Sequence, residues 1–223
     1  MNDWEWDTPP IELETGSDPY ATIIWLHGLG ADGNDFVPIA EALPLPVPVR
    51  YVFPHAPHRA VTLNAGFVMR AWYDLDIGAR GFKQDVAHIE ASTRAVTDLV
   101  AREQARGIAA NRCVLAGFSQ GGLIAFRAAL ALPQPIGGVM ALSAPIADAA
   151  AVIEAAAPSV RTTPIFLAHG VDDAMVPVAM ARAANESLAR AGANVSWHEY
   201  PMAHSVCAEE VRDIAAWLAP ILR

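Results

Sequence analysis

The sequence predicts an α/β domain in which a mostly parallel central sheet is covered by helices on both faces. Short apolar runs rich in β-forming residues alternate with longer segments of helical periodicity, and most of these runs are apolar throughout, as in strands buried on both faces. A chain of 223 residues, 53% of them hydrophobic, can bury one substantial core but is short for two. We therefore expect residues 1–223 to form a single domain.

Six strands are predicted from the apolar runs. They are Ala21 to His27, Val49 to Phe53, Arg112 to Ala116, Ile136 to Leu142, Pro164 to His169 and Asn194 to Tyr200. The stretch Pro44 to Pro48 and the segment Pro54 to Asp76 contain prolines and aromatic residues without clean periodicity. We expect both to be loops that cross one edge of the sheet.

Four longer segments have helical patterns. Apolar residues from Val86 to Val100 recur at a spacing near 3.6, which predicts a long amphipathic helix that Gly107 can end. Further helices are predicted at Gly121 to Leu132, Val178 to Ala191 and Ala208 to Leu222.

The composition excludes several classes of function. The formal net charge of −9 disfavours nucleic acid and anionic lipid surfaces as partners. The first residues are acidic rather than typical of an export signal, and charged residues such as Arg127 interrupt the longest apolar stretches, so no membrane insertion is expected. Cys113 and Cys207 match no metal or redox spacing. Two free thiols favour a reducing compartment, and we expect a cytoplasmic protein.

A serine lies between a predicted strand and a predicted helix. The motif Gly117-Phe118-Ser119-Gln120-Gly121 follows the strand that ends at Ala116. In the α/β-hydrolase fold such a G-x-S-x-G motif forms a sharp turn that exposes the serine, and glycines on either side leave room for it. Ser119 is the predicted nucleophile, and the backbone N–H of Gln120 at the helix N-terminus is a predicted oxyanion donor. The alternative is a glycine-rich turn with a capping serine.

A serine hydroxyl needs a histidine as base and a carboxylate that orients the histidine. In this fold both follow the serine, the acid first, which leaves His169, His198 and His204. His204 is the best placed, in a loop just past the last predicted strand. For the acid, Asp172 and Asp173 share a loop after another strand, and spacing does not separate them.

A glycine-rich loop follows the first predicted strand. Gly28, Gly30 and Gly33 allow backbone N–H groups to approach a ligand closely, and the N–H of Leu29 is the predicted second oxyanion donor. The loop lacks the G-K-[S/T] signature of phosphate loops, which disfavours nucleotide binding. We expect His27 to brace this loop.

Five ordered blocks of sequence resemble the phospholipase/carboxylesterase family, which also contains acyl-protein thioesterases. The blocks are Leu26 to Gly33; His55-Ala56-Pro57 with Val61 to Asn64 and Ala71 to Asp74; Gly117 to Gly122; His169-Gly170 with Asp173 to Pro177; and Tyr200 to His204. The resemblance covers nearly the whole chain and is strongest to the bacterial carboxylesterase branch.

The resemblance assigns roles that spacing leaves open. It places the catalytic acid at Asp173 and the oxyanion donors at Leu29 and Gln120. The family's loop between residues 64 and 81 lines the acyl pocket, which implies that Trp72 and Leu75 contact the substrate. Arg70 stands where bacterial members often have proline, a departure in this same loop. Pairing among family members, with aromatic residues near Trp4 and Trp6, favours a homodimer.

The expected function is a serine carboxylesterase that hydrolyses short- to medium-chain esters of small molecules through an acyl-enzyme. No cofactor or metal is required, because the chain supplies nucleophile, base and oxyanion donors. His55 and His58 lack the spacing of a zinc-hydrolase helix and are expected to be structural. An acyl-protein thioesterase or lysophospholipase with the same triad is the alternative activity, and a non-catalytic binding module is the alternative from another class.

Overall fold

A computed structural model describes residues 6–78, 81–158 and 160–223 of the chain. The strands are β1 (Ile11–Glu14), β2 (Ala21–Leu26), β3 (Val49–Phe53), β4 (His58–Val61), β5 (Phe67–Arg70), β6 (Leu75–Gly78), β7 (Gly81–Gln84), β8 (Cys113–Phe118), β9 (Gly138–Leu142), β10 (Ile165–Gly170) and β11 (Val195–Tyr200). The helices are α1 (Val37–Ala42), α2 (Val86–Ala105), α3 (Gln120–Ala131), α4 (Ala149–Ala155), α5 (Val178–Arg190) and α6 (Ala208–Ile221).

Seven of these strands form the central sheet, in the order β1-β3-β2-β8-β9-β10-β11. Only β1 runs antiparallel to its neighbour, so the predicted mostly parallel sheet is confirmed. The chain passes from β2 to β3 on one side and later adds β8 on the other side of β2. Such a reversal of strand order leaves a crevice at the carboxyl ends of the strands, and ligands bind there in open α/β sheets.

Alternate residues of the sheet serve two apolar cores. Ile24 and Leu115 belong to the core that includes residues of α2, α3, α4 and α5, whereas Ile23 and Val114 belong to the core with α1 and α6. This division follows from the twofold side-chain period of a strand, and it requires strands that are apolar on both faces. The predicted layer of helices on each face is therefore present.

The six predicted strands and four predicted helices match observed elements to within one or two residues at each end. The segment Pro54 to Asp76, predicted as loops, differs: it contains β4 and β5, which form a two-stranded hairpin, and it ends within β6, which pairs with β7. In the described parts of the chain, β4 pairs with β5 and β6 with β7, and none of these strands joins the central sheet. Their residues have mixed exposure. Neither periodicity nor a continuous apolar run therefore reveals them. No helix among the described residues has the length and apolar character needed to span a bilayer.

Candidate active site

The turn between β8 and α3 holds Ser119 in a strained conformation. Its φ of 53° and ψ of −120° lie outside the regions that non-glycine residues favour. Conformations of this kind cost about 1–3 kcal/mol and persist only where the surrounding structure enforces them. The backbone N–H of Ser119 donates to the carbonyl of Leu142 at 2.9 Å, which fixes the turn to the end of β9. The strain presents the Ser119 side chain at the carboxyl end of the sheet.

Glycines around Ser119 permit this turn because the backbone is packed too closely for a side chain. A Cβ on Gly117 would lie 2.2 Å from the carbonyl oxygen of Gly121. A Cβ on Gly121 would lie 2.5 Å from the carbonyl oxygens of both Leu26 and His27. The start of α3 is therefore pressed against the end of β2, which brings the serine turn beside the glycine-rich loop.

Asp173 and His204 are in contact. The Oδ2 atom of Asp173 lies 2.7 Å from Nδ1 of His204, so the histidine donates from Nδ1 and its Nε2 is left as a proton acceptor. The other carboxylate oxygen accepts the backbone N–H groups of Met175 and Val176 at 2.9 and 2.8 Å. These bonds fix the carboxylate, and the carboxylate in turn fixes the imidazole.

The loops that carry Asp173 and His204 are joined by backbone contacts. The N–H of Asp172 donates to the carbonyl of Met202 at 3.1 Å. A Cβ on Gly170 would lie 2.3 Å from that same oxygen, so glycine is required where β10 ends. Because β10 and β11 are parallel neighbours, their carboxyl ends meet here and bring acid and histidine together.

His169 packs against Asp173 and the loop that carries it. Its Nε2 donates to the carbonyl of Val176 at 2.7 Å and lies 3.4 Å from Oδ2 of Asp173. The ring is fully buried, and burial lowers the pKa of His169 and favours the neutral ring. The expectation that His169 serves the loop rather than the chemistry is consistent with this geometry.

His27 braces the glycine-rich loop. Its Nε2 accepts the backbone N–H of Ala56 at 3.0 Å, so its Nδ1 donates to the carbonyl of Gly28 at 2.7 Å. Burial lowers the pKa of His27 to about 4, which keeps the ring neutral and preserves this pattern of one donor and one acceptor. Both bonds fix the backbone next to Leu29.

A cleft of about 220 Å³ is lined by the serine turn, the histidine loop and the glycine-rich loop. Its lining includes Ser119, Gln120, His204 and Leu29, which are four of the predicted site residues, together with the predicted substrate contact Leu75. The remaining lining residues are Gly28, Ala31, Asp35, Leu63, Tyr73, Gln84, Phe118, Pro145, Met175 and Val176. The Ser119 hydroxyl with the pair of Asp173 and His204 can support nucleophilic attack on a carbonyl carbon. The backbone N–H groups of Leu29 and Gln120 can stabilise the resulting oxyanion. Among the described residues, no group of three or more His, Cys, Asp and Glu side chains is arranged to hold a metal ion.

Comparisons with known proteins identify the family of this chain. The sequence model of the phospholipase/carboxylesterase family matches residues 11–222. The chain belongs to the phospholipase/carboxylesterase family. It is a hydrolase of the α/β-hydrolase superfamily, as the strained serine turn indicates.

Individual relatives and structures are similar over most of their length. An acyl-protein thioesterase 1 from Mycosarcoma maydis is 34% identical over 229 residues, covering 95% of each chain. A probable carboxylesterase from Oryza sativa is 31% identical over 201 residues, covering 88% of this chain and 76% of the relative. The crystal structure of Zea mays acyl-protein thioesterase 2 has a TM-score of 0.83 at 28% identity, covering 96% and 99% of the two chains.

Trp72 is the predicted site residue that this family member places differently. Its side chain is fully buried, it does not line the cleft, and its Nε1 donates to the carbonyl of His27 at 2.9 Å. The substrate contact that the family resemblance implies for Trp72 stays a prediction, and the observed contact of the indole is with the backbone of the glycine-rich loop. Its backbone N–H donates to the side-chain oxygen of Gln120 at 3.0 Å, so the loop is also fixed to the serine turn.

Arg70, the departure from the family pattern, connects the hairpin β4–β5 to its surroundings. Its guanidinium donates to the carbonyl of Ala56 at 2.7 Å and to the hydroxyl of Thr8 at 3.0 Å. Its own carbonyl accepts the N–H of Gly30 at 2.9 Å. The residue thus fixes the hairpin against the glycine-rich loop of this phospholipase/carboxylesterase.

Several lining residues of the family member were not predicted. Met175 and Val176 follow Asp173, and Phe118 precedes Ser119. Their position next to predicted site residues could therefore have predicted that they line the cleft. Pro145 and Asp35 have no such signal, because only the packing of β9 and of the turn before α1 brings them to the cleft. The structure also shows a role for the Gln120 side chain, which donates from Nε2 to the carbonyl of Tyr73 at 2.9 Å.

Proposed function

We propose that this family member hydrolyses short- to medium-chain carboxylic esters of small molecules through an acyl-enzyme formed on Ser119. The observation that carries the proposal is the 2.7 Å contact between Asp173 and His204 at the cleft that also exposes the strained Ser119. A cleft of about 220 Å³ is smaller than the range of about 300–1,000 Å³ typical of drug-sized ligands, which favours a short acyl group.

In the first half of the reaction, His204 Nε2 takes the proton from the Ser119 hydroxyl while the oxygen attacks the ester carbonyl carbon. The carbonyl oxygen becomes an oxyanion that accepts hydrogen bonds from the backbone N–H groups of Leu29 and Gln120. Both donors are fixed before substrate arrives: the first by the bonds of His27, the second by the start of α3. Asp173 stabilises the imidazolium that forms.

In the second half, the imidazolium gives its proton to the leaving alcohol, and the carbon–oxygen bond to the alcohol breaks. Water then attacks the acyl-enzyme, with His204 again as base, and the carboxylic acid is released. The apolar wall formed by Leu63, Tyr73 and Leu75 offers a surface for the acyl chain.

The test is hydrolysis of p-nitrophenyl acetate, butyrate and octanoate by the wild type and by Ser119→Ala. We expect turnover by the wild type, highest for the shorter chains, and a loss of about a thousandfold or more in the variant. Retention of most activity by Ser119→Ala would assign the nucleophile elsewhere.

A thioesterase activity is the second candidate, because the relative with 34% identity is named an acyl-protein thioesterase. A lysophospholipase would use the same catalytic groups. Rates on an oxygen ester and a thioester with the same acyl group separate these activities, since only the leaving atom differs. A large preference for the thioester, or for a lysophospholipid, would replace the carboxylesterase assignment.

We also propose a cytoplasmic location and a homodimer. The location is supported by two cysteines that are both free thiols, one of them buried. Of the two tryptophans that favoured pairing, Trp4 lies outside the described residues, whereas Trp6 packs edge-on against Trp72 with ring centroids 6.5 Å apart. Fractionation of the source cells and light scattering on the purified chain test the two points.

A further inference from the structure

The cleft contains one acidic side chain that the proposed chemistry does not use. Asp35 lies in the turn before α1, lines the cleft and is exposed to solvent. Its backbone N–H donates to the carbonyl of Asp32 at 3.1 Å, which closes the turn. The turn belongs to the same chain segment as the glycine-rich loop, on the side of the cleft that carries Leu29.

The charge of Asp35 is not balanced within the cleft. Its carboxylate forms no ion pair or hydrogen bond within the part of the chain that the structure describes. Among the residues that the structure describes, no lysine or arginine lines the cleft. Partial burial and the nearby charge of Asp32 raise the pKa of Asp35, in agreement with an unpaired carboxylate in an acidic setting.

A second acidic region adjoins the cleft on the opposite wall. A groove of about 160 Å³ shares Leu75 and Gln84 with the cleft. Three aspartates line it, Asp74, Asp76 and Asp85, against one lysine, Lys83. Arg59 also lies near Asp74 and Asp85 and offsets part of their charge. On both sides of the cleft, the described carboxylates therefore outnumber the described lysines and arginines, in a chain of net charge −9.

We propose that Asp35 is a specificity-determining residue that favours esters with cationic or neutral leaving groups over esters with anionic ones. This inference rests on the proposed ester hydrolysis. The acyl chain lies against the apolar wall formed by Leu63, Tyr73 and Leu75, where a charge would be desolvated. A charged substrate group therefore belongs on the alcohol side, at the open mouth of the cleft where the carboxylate of Asp35 is exposed.

The physical basis is the field of one fixed charge in a site with low-dielectric walls. Such a field concentrates ligands of opposite charge and repels those of like charge, and added salt screens it. A carboxylate within roughly 10 Å of the leaving group changes the ratio of rates for cationic and anionic substrates by about three- to tenfold. Substrates such as coenzyme A thioesters, whose leaving group has several phosphates, are disfavoured by the same argument.

The test uses three butyrate esters whose alcohols are similar in size and differ in charge. They are butyrylcholine, its uncharged isostere 3,3-dimethylbutyl butyrate, and the butyrate ester of 2-hydroxyethanesulfonate. Release of butyric acid is followed at pH 8 by titration, and the readout is the ratio of kcat/KM for the cationic over the anionic ester. A ratio measured within one preparation does not depend on the fraction of enzyme that is folded.

We expect the wild type to prefer the cationic ester and Asp35→Asn to lower the ratio about three- to tenfold. Asp35→Lys should lower the ratio further. Added salt, at roughly 0.5 M, should reduce the wild-type ratio because it screens the charge of Asp35; at ~1 M the Debye length is only about 3 Å. Glu41→Gln is the matched control, because it removes one exposed charge on α1 that does not line the cleft. An unchanged ratio in Asp35→Asn, with Ser119-dependent hydrolysis of the neutral ester intact, would overturn this inference alone. Absence of that hydrolysis in the wild type would overturn the proposed function together with it.

Discussion

The serine turn and the wall of the acyl cleft face each other across the site, but different interactions shape them. The turn is fixed by backbone packing. A Cβ added to Gly117 or Gly121 would lie within 2.6 Å of main-chain atoms of neighbouring residues. The wall formed by Leu63, Tyr73 and Leu75 lies in the segment that carries the ribbons β4–β5 and β6–β7, whose described strands pair with no strand of the central sheet. It is held in place by side chains, such as Gln120 and Arg70. The proposed nucleophile is thus positioned by close backbone packing, whereas the proposed substrate wall depends on side-chain contacts.

This difference decides what the sequence could predict. Ser119 was predicted from a strand-turn-helix motif and His204 from its place in the loop after the last strand, which are local signals. The choice of Asp173 over Asp172 came from the family resemblance, because spacing did not separate the two. Most of the six predicted strands are continuous apolar runs, and all six were found. The edge strand β1, with alternating exposure over four residues, was missed. The hydrogen bond from the Trp72 indole to the carbonyl of His27, 45 residues away, could not be predicted, because no local pattern contains it.

The largest expected effect is on the acid. Asp173→Asn removes the negative charge that stabilises the imidazolium and disturbs the tautomer of His204, so kcat should fall by about a thousandfold to ten-thousandfold with little change in KM. Asp172→Asn is the matched control, because Asp172 is the exposed neighbour that spacing could not exclude. A larger loss in the control than in Asp173→Asn would reverse the assignment of the acid.

The next effect tests the turn itself. In Gly121→Ala the added Cβ would collide with the carbonyl oxygens of Leu26 and His27, and we expect a loss of on the order of 3 kcal/mol in the free energy of unfolding, with most of the activity. Gly66→Ala in the wall is the control: its φ of 79° is strained, but nothing lies within 4 Å of the new Cβ. It should cost about 1 kcal/mol. Equal losses in urea unfolding would show that backbone packing does not distinguish the two regions.

A smaller effect is expected at the joint between turn and wall. Gln120→Met keeps the backbone donor but leaves the N–H of Trp72 and the carbonyl of Tyr73 without their partner. We expect a loss of about 1–3 kcal/mol in stability and a lower kcat, because the wall is no longer fixed to the turn. Gln84→Met, which removes one bond of 3.3 Å to the Tyr73 hydroxyl, should lose less than about 1 kcal/mol. Thermal unfolding temperatures and kcat values of the two variants test whether the hydrogen bonds of the Gln120 side chain fix the wall to the serine turn.

The smallest expected effect is on selectivity. Leu75→Ala enlarges the cleft, so the ratio of kcat/KM for p-nitrophenyl octanoate over butyrate should rise by about five- to tenfold, the equivalent of one or two methylene contacts. Val61→Ala is the control, since Val61 is fully buried and does not line the cleft. It should lower stability and leave the ratio unchanged. A ratio that moves equally in both variants would remove Leu75 from the substrate site.

The most direct test of the central claim is covalent. The wild type is treated with p-nitrophenyl diethyl phosphate, which forms a stable ester with an activated serine, and the digested protein is analysed by mass spectrometry while residual activity is measured. We expect one diethylphosphate adduct, on the peptide that contains Ser119, which appears at the rate at which activity is lost. The reaction should be much slower in Asp173→Asn. An adduct on another residue that accompanies the loss of activity, or full activity with Ser119 modified, would contradict the central claim.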